Sequence, residues 1–321
     1  MKYKTYIASC DDDGGIYCYD FEDGHLVLDE VVKIPRPMYM AFSEGKMHVI
    51  SSGKNQGEGS YVVYDVVDGR LVNPSSPVPT LGQEPCHLCS DKGETYIVNY
   101  ISGNVVKFPD GKAVCHEGKG VNARRQDKAH THMACFSPAR RRVFVTDLGL
   151  DTVFVYDRNL DYVSKARVPD GYGARHLALS PDGKYVYCVN ELVSSVTVFA
   201  YERGVLEPLE TYECPVDFDG VNTAAAIRLN KAGNLLCISN RGENTLVFFD
   251  VEGAKLKFRQ KIGCMGNFPR DFDFVPDEDF IICCNQLSNN VTVFSFENGE
   301  ARFFYSVTGV KNPLCVLTLP M

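Results

Sequence analysis

Five side chains in this sequence are suited to chemistry on an anion: His132, Arg175, Glu191, Arg241 and Arg270. Guanidinium groups bind carboxylates and phosphates through paired, charge-assisted hydrogen bonds. A carboxylate beside an imidazole can take and return a proton. These residues lie far apart along the chain, so their chemistry depends on elements that would bring them together. Each occupies one of two equivalent positions in a unit that the chain repeats.

The unit is a short strand, a tight turn and a second strand closed by a polar residue. Clear copies are HMACFSPARRRVFVTD, HLALSPDGKYVYCVNE, AAIRLNKAGNLLCISNR and DFDFVPDEDFIICCNQ. The closing residues are Ser9, Ser51, Asn99, Asp147, Asn190, Asn240 and Asn285, between 42 and 50 residues apart. A strand-built period of that length predicts a β-propeller. In one copy, HLALS (176–180) alternates up to a Ser-Pro-Asp-Gly turn, and YVYCVN, SVTVFAY and LEPLETY follow as three further strands. No segment shows helical periodicity. The expected fold is therefore all-β, a seven-bladed propeller with four antiparallel strands per blade, in one domain spanning 1–321. No first strand precedes Tyr3, whereas NPLCVLTLP near the C-terminus has no second strand after it. Residues 313–320 are thus expected to pair with the N-terminal strands and close the ring.

Because the first two strands of a blade run antiparallel, the start of one and the end of the next lie at the same rim. Aligning the repeats places Met38, Pro85, His132, Arg175, Ala225, Arg270 and Leu314 at the first of these positions. The residues just past the closing polar groups are Cys10, Ser52, Tyr100, Leu148, Glu191, Arg241 and Gln286. The alignment predicts an arc of three arginines, a carboxylate and an imidazole at one channel mouth. In a chain of net charge −8 this is a local basic spot, suited to an anionic small molecule.

Composition narrows the alternatives. A 45% hydrophobic chain of 321 residues can bury a large core. The acidic balance argues against nucleic acid as a partner. No stretch resembles a signal peptide or a membrane span, so a cytoplasmic location and no membrane partner are expected, with a monomer or weak homo-oligomer as the assembly. The thirteen cysteines alternate with apolar residues inside strands, as reduced thiols do. Cys86 and Cys89 form a lone CxxC whose side chains would point to opposite faces of a strand. His130 and His132 stand at strand spacing, but no third ligand is marked, so no metal or cofactor is expected. Gly171-Tyr172-Gly173 opens like a dinucleotide loop but lacks its third glycine and its helix.

With these residues the chain resembles the lactonase family of seven-bladed propellers, which includes propeller-type 6-phosphogluconolactonases and carboxy-muconate cyclases. The resemblance covers nearly the whole chain. It rests on Arg125-Gln126 with His130-x-His132, Asp147-Leu148-Gly149 with Asp151, and Arg175-His176 with Asn190-Glu191. Ser239-Asn240-Arg241-Gly242 and Pro269-Arg270 with Asn285-Gln286 complete it. In the cyclase branch a histidine, two arginines and a glutamate serve catalysis, and they match His132, Arg175, Arg241 and Glu191 here. The resemblance implies substrate contacts from Arg125, Gln126, His130, His176, Asn190, Asn240, Arg270 and Gln286. The expected reaction is hydrolysis of a phosphorylated sugar lactone, with His132 or Glu191 as the base and no metal. A lactonizing muconate cyclase and a non-catalytic binding propeller stay open at this level.

Overall fold

A computed structural model describes residues 2–321. Its 29 strands form seven antiparallel sheets around one axis. The innermost strands are Pro37–Ser43, Pro85–Asp91, Thr131–Phe136, Ala174–Leu179, Thr223–Leu229, Pro269–Phe274 and Pro313–Pro320, which define blades one to seven in that order. Each blade has four strands, and blade one carries a fifth, Val78–Gln83, paired to Glu58–Val67. The C-terminal strand Pro313–Pro320 is the inner strand of the sheet formed by the N-terminal segment. It pairs antiparallel with Lys2–Ser9, placing Ile7 opposite Val316. Thr5 and Thr318 meet there through their hydroxyls at 3.1 Å.

Both faces of each second strand are covered by neighbouring blades, which is why these strands are apolar almost throughout. In blade four, Tyr187 and Val189 pack with Val196 and Val198 against Ile227, Leu236, Ile238 and Val247 of blade five. Each fully buried aliphatic side chain contributes about 1.5–3 kcal/mol. The polar residues closing the second strands, Asn99, Asp147, Asn190, Asn240 and Asn285, are themselves fully buried.

Two backbone devices build the rim. First, the pairing of each inner strand slips near its start, leaving Met38, Cys86, His132, Arg175, Arg270 and Leu314 as bulged residues. In blade five the slip spans Ala225 and Ala226. A bulge re-aims the extra side chain, and here it is aimed at the axis. The repeat alignment puts Pro85 in this set. Cys86 takes the place because the blade-two turn is Lys92-Gly93, one residue later than a count from Ser90 assumes. Second, in six blades the residue past the closing polar group donates its N–H to the residue preceding an inner strand. Ser52 bonds Arg36 at 3.0 Å, Tyr100 bonds Glu84 at 2.8 Å, Glu191 bonds Gly173 at 2.8 Å and Gln286 bonds Phe268 at 3.0 Å. These four acceptor residues have a positive φ, between 50° and 74°.

Candidate active site

One mouth of the channel opens into a cavity of about 510 Å³, whose polar lining includes Glu84, Tyr100, Arg125, His132, Glu191, Arg241 and Arg270. Glu191 is its centre, with a side chain only 3% exposed. Its Oε1 accepts from Arg125 Nη2 at 2.6 Å. Its Oε2 accepts from Arg175 Nε at 2.9 Å and lies 3.2 Å from Arg241 Nη2. His132 Nε2 is 3.9 Å from the same oxygen. Arg175 also donates to the Ala225 carbonyl at 2.6 Å, and Arg241 donates to that of Ala224 at 2.7 Å. The Arg241 guanidinium lies 5.0 Å from the Phe268 ring centre.

The electrostatics follow from this crowding. Burial alone would push the Glu191 carboxyl up, but Arg241, Arg175, His132 and Arg125 hold it well below the usual carboxylate range. Burial, helped by Arg175, holds the His132 imidazole well below its ordinary value, so it is neutral at physiological pH. Burial pushes Arg175 down to about 9, with Arg270 and Arg241 adding repulsion. Arg241 falls to about 10, again chiefly through burial. Positive charge is under-compensated here, and an incoming anion relieves it. Glu191 is a poor base in this setting; His132 is already deprotonated and its Nδ1 has no partner.

Arg125 arrives on an arm, residues 116–130, that links blades two and three. Two fully buried carboxylates on blade three pin it. Asp147 accepts from His116 Nδ1 at 2.7 Å through one oxygen and from the His130 N–H at 2.8 Å through the other. Asp151 accepts from Gln126 Nε2 at 2.7 Å and from the N–H groups of Gly171 and Gly173 at 2.8 and 2.7 Å. Gly149 passes so close to the arm that a Cβ there would fall on the Lys128 carbonyl oxygen. Gly149→Ala is therefore expected to lift the arm and lower kcat/KM at least tenfold, with a smaller change in melting temperature. Enzyme kinetics beside a thermal melt checks this, and unchanged kinetics would contradict it.

The model of the family described as lactonase, 7-bladed β-propeller, matches residues 4–318. The chain belongs to the lactonase family of seven-bladed β-propellers. Among its relatives, a Bacillus subtilis protein named 6-phosphogluconolactonase is 30% identical over 343 aligned positions, which cover 98% of each chain. A crystal structure from Lactobacillus plantarum superposes with a TM-score of 0.91 at 28% identity, covering 100% of both chains. A periplasmic gluconolactonase from Pseudomonas aeruginosa gives 0.88 at 26% identity, covering 100% of this chain and 99% of that one. The protein is an enzyme, a lactonase.

In this lactonase His132, Glu191, Arg241, Arg125 and Arg270 meet at the cavity, while Arg175 lies beneath its floor, reaching Glu191 from below. Several residues expected to touch substrate do not line the cavity. Gln126 is fully buried and spends its amide on Asp151, the Leu148 carbonyl and the Asn122 N–H, bracing the arm. His130 stacks on Tyr100 and gives its two nitrogens to the Tyr100 carbonyl and Asp127. Asn190 donates to Ser195 and Thr197 inside blade four. Asn240 is fully buried, and Gln286 lies off the cavity. His176 sits on the axis below His132, with ring centres 5.2 Å apart, and continues to His87 at 5.2 Å. This column of rings fills the channel under the cavity.

The repeat alignment missed Glu84 and Phe268 as lining residues. Both directly precede a proline that opens an inner strand, as Arg36 also does, so alignment one position before that proline is the signal that finds them. Cys86 lines the cavity too, its thiol pushed up to about 12 by burial. A thiol held protonated is a slow nucleophile. Brief treatment with iodoacetamide at pH 7.5 is expected to alkylate the exposed Cys115 and leave turnover intact, as peptide mass spectrometry with parallel assays would show. Rapid inactivation with label on Cys86 would contradict this.

Proposed function

We propose that the lactonase hydrolyses 6-phospho-D-glucono-1,5-lactone to 6-phosphogluconate at this mouth, by acid–base catalysis from its own side chains. The observation carrying the reading is one carboxylate, Glu191, shared by three guanidiniums beside a neutral imidazole. The name of the Bacillus subtilis relative supports this substrate, as does an arginine-rich mouth suited to an anion. In the mechanism, His132 takes a proton from water as the water oxygen bonds to the lactone carbonyl carbon. The carbonyl electrons move onto oxygen, where Arg241, with Arg175 behind it, stabilises the charge; one such donor is worth about 2.7–4 kcal/mol. Collapse breaks the bond to the ring oxygen, and the imidazolium returns its proton to that oxygen. The new acid then ionises to a carboxylate.

Glu191 keeps the arginines aimed and balances the imidazolium while it exists. Three guanidiniums around the one central carboxylate repel a divalent cation, so activity is expected to survive chelation by EDTA. We place this chemistry in the cytoplasm. The deciding experiment is a coupled assay on freshly made 6-phosphogluconolactone, with carboxy-muconate as control. Turnover of the lactone above its spontaneous hydrolysis supports the reading; lactonization of the muconate without it would overturn it.

A further inference from the structure

Three guanidiniums, those of Arg125, Arg241 and Arg270, line the mouth and a fourth, that of Arg175, lies just under its floor, against two carboxylates, Glu84 and Glu191. With His132 neutral, two positive charges are left uncompensated, the charge of a phosphate monoester dianion. The four arginines are not equivalent. Arg125, Arg175 and Arg241 all point at Glu191, and the last two also give donors to backbone carbonyls. Arg270 has no hydrogen bond and no carboxylate partner among the described residues. It is half-buried, held by the blade-six bulge between Pro269 and Asp271, and lines both the open cavity and the small space beneath it. Glu84, the other carboxylate, instead takes a hydrogen bond from Ser52 Oγ at 2.9 Å.

We infer that Arg270 is the specificity-determining residue for the phosphoryl group, which separates phosphorylated lactones from uncharged ones. The inference rests on the hydrolytic reading of this mouth and adds the division of labour within it. His132, Glu191 and Arg241 come from blades three to five and face the reacting carbonyl, with Arg175 of blade four behind them. Arg270 comes from blade six and offers its guanidinium fork to phosphate oxygens. A preformed cation with its whole fork unused favours the charged ligand, because the other three guanidiniums each already commit donors to Glu191. An uncharged gluconolactone leaves Arg270 unanswered and forgoes that attraction.

The test compares 6-phosphogluconolactone with glucono-1,5-lactone on the wild type, Arg270→Met and Arg270→Lys, with circular dichroism melts to verify folding. The wild type is expected to prefer the phosphorylated lactone at least 100-fold in kcat/KM. In Arg270→Met that preference collapses at least 30-fold, mainly through KM, and Arg270→Lys retains an intermediate share. Inorganic phosphate is expected to inhibit the wild type competitively and Arg270→Met at least tenfold more weakly. Equal losses on the two lactones, or an unchanged preference, would overturn the inference while leaving the hydrolytic reading intact. Failure of the wild type on both lactones would sink the hydrolytic reading; phosphate binding measured by calorimetry on both proteins would still report on Arg270. Should Arg270→Met not fold, the same ratio read on Arg270→Lys decides.

Discussion

Glu191→Gln is expected to lower kcat/KM about a thousandfold and to destabilise the fold. The amide keeps the shape of the carboxylate but removes the charge that three guanidiniums share within 3.2 Å. Arg175 and Arg241 are 2% and 4% exposed, so each is left as a buried charge without a counterion. Removing one partner of a buried pair costs about 3–5 kcal/mol. At about 2.1 cal/mol/K of unfolding entropy per residue, a chain of this length should melt about 5 °C lower. Activity falls further than stability because the arginines lose their aim at the carbonyl oxygen, and orientation carries much of such a barrier. Glu191→Asp restores the charge with a shorter reach, and should recover much of the melting temperature but little of the turnover. Circular dichroism melts beside kcat/KM separate the two effects. A wild-type melting temperature in Glu191→Gln would contradict the charge clamp.

His132→Ala is expected to reduce kcat by about 10²–10⁴, the range for loss of a positioned base, while leaving the melting temperature nearly unchanged. His132→Gln, which keeps a polar group without a base, should be as slow. The sign of the pH dependence follows from the shift. The imidazole is held well below its ordinary value, so the basic form persists as pH falls through 6.5 and is lost only at lower pH. Glu191 is ionised throughout that range. The kcat profile, corrected for spontaneous lactone opening, should therefore be flat between pH 6 and 8, with its acid limb below 6. A limb centred near 6.5–7 in the wild type and absent in His132→Gln would assign an unshifted imidazole and overturn this account of the base.

Much of this molecule was legible before any coordinates. The apolar run of YVYCVN and its counterparts, with a polar residue ending each, marks the second strands of the repeat. The unpaired NPLCVLTLP segment required ring closure with the N-terminal strands, and Pro313–Pro320 makes it. Two aligned positions contained His132, Arg175, Glu191, Arg241 and Arg270, because a rotationally repeated blade maps equal sequence positions to equal heights. The same logic missed Cys86 by one residue, since the Lys92-Gly93 turn begins one residue later than a count from Ser90 assumes and a bulge tolerates only its own register. It also could not tell Gln126 or Asn190, which brace the arm and blade four, from residues that face the cavity.

The sequence alone thus determined the seven blades, their closure and the pool of polar side chains at one mouth, because strand periodicity and turn chemistry are local and repeat faithfully. Only the tertiary structure decided which members of that pool neutralise one another and which remain free. Arg125 reaches Glu191 across 66 residues of chain, Arg175 is drawn under the floor, and Arg270 is left without a carboxylate. Coulomb attraction and hydrogen-bond satisfaction act through space between blades, and in a buried mouth they outweigh position along the chain.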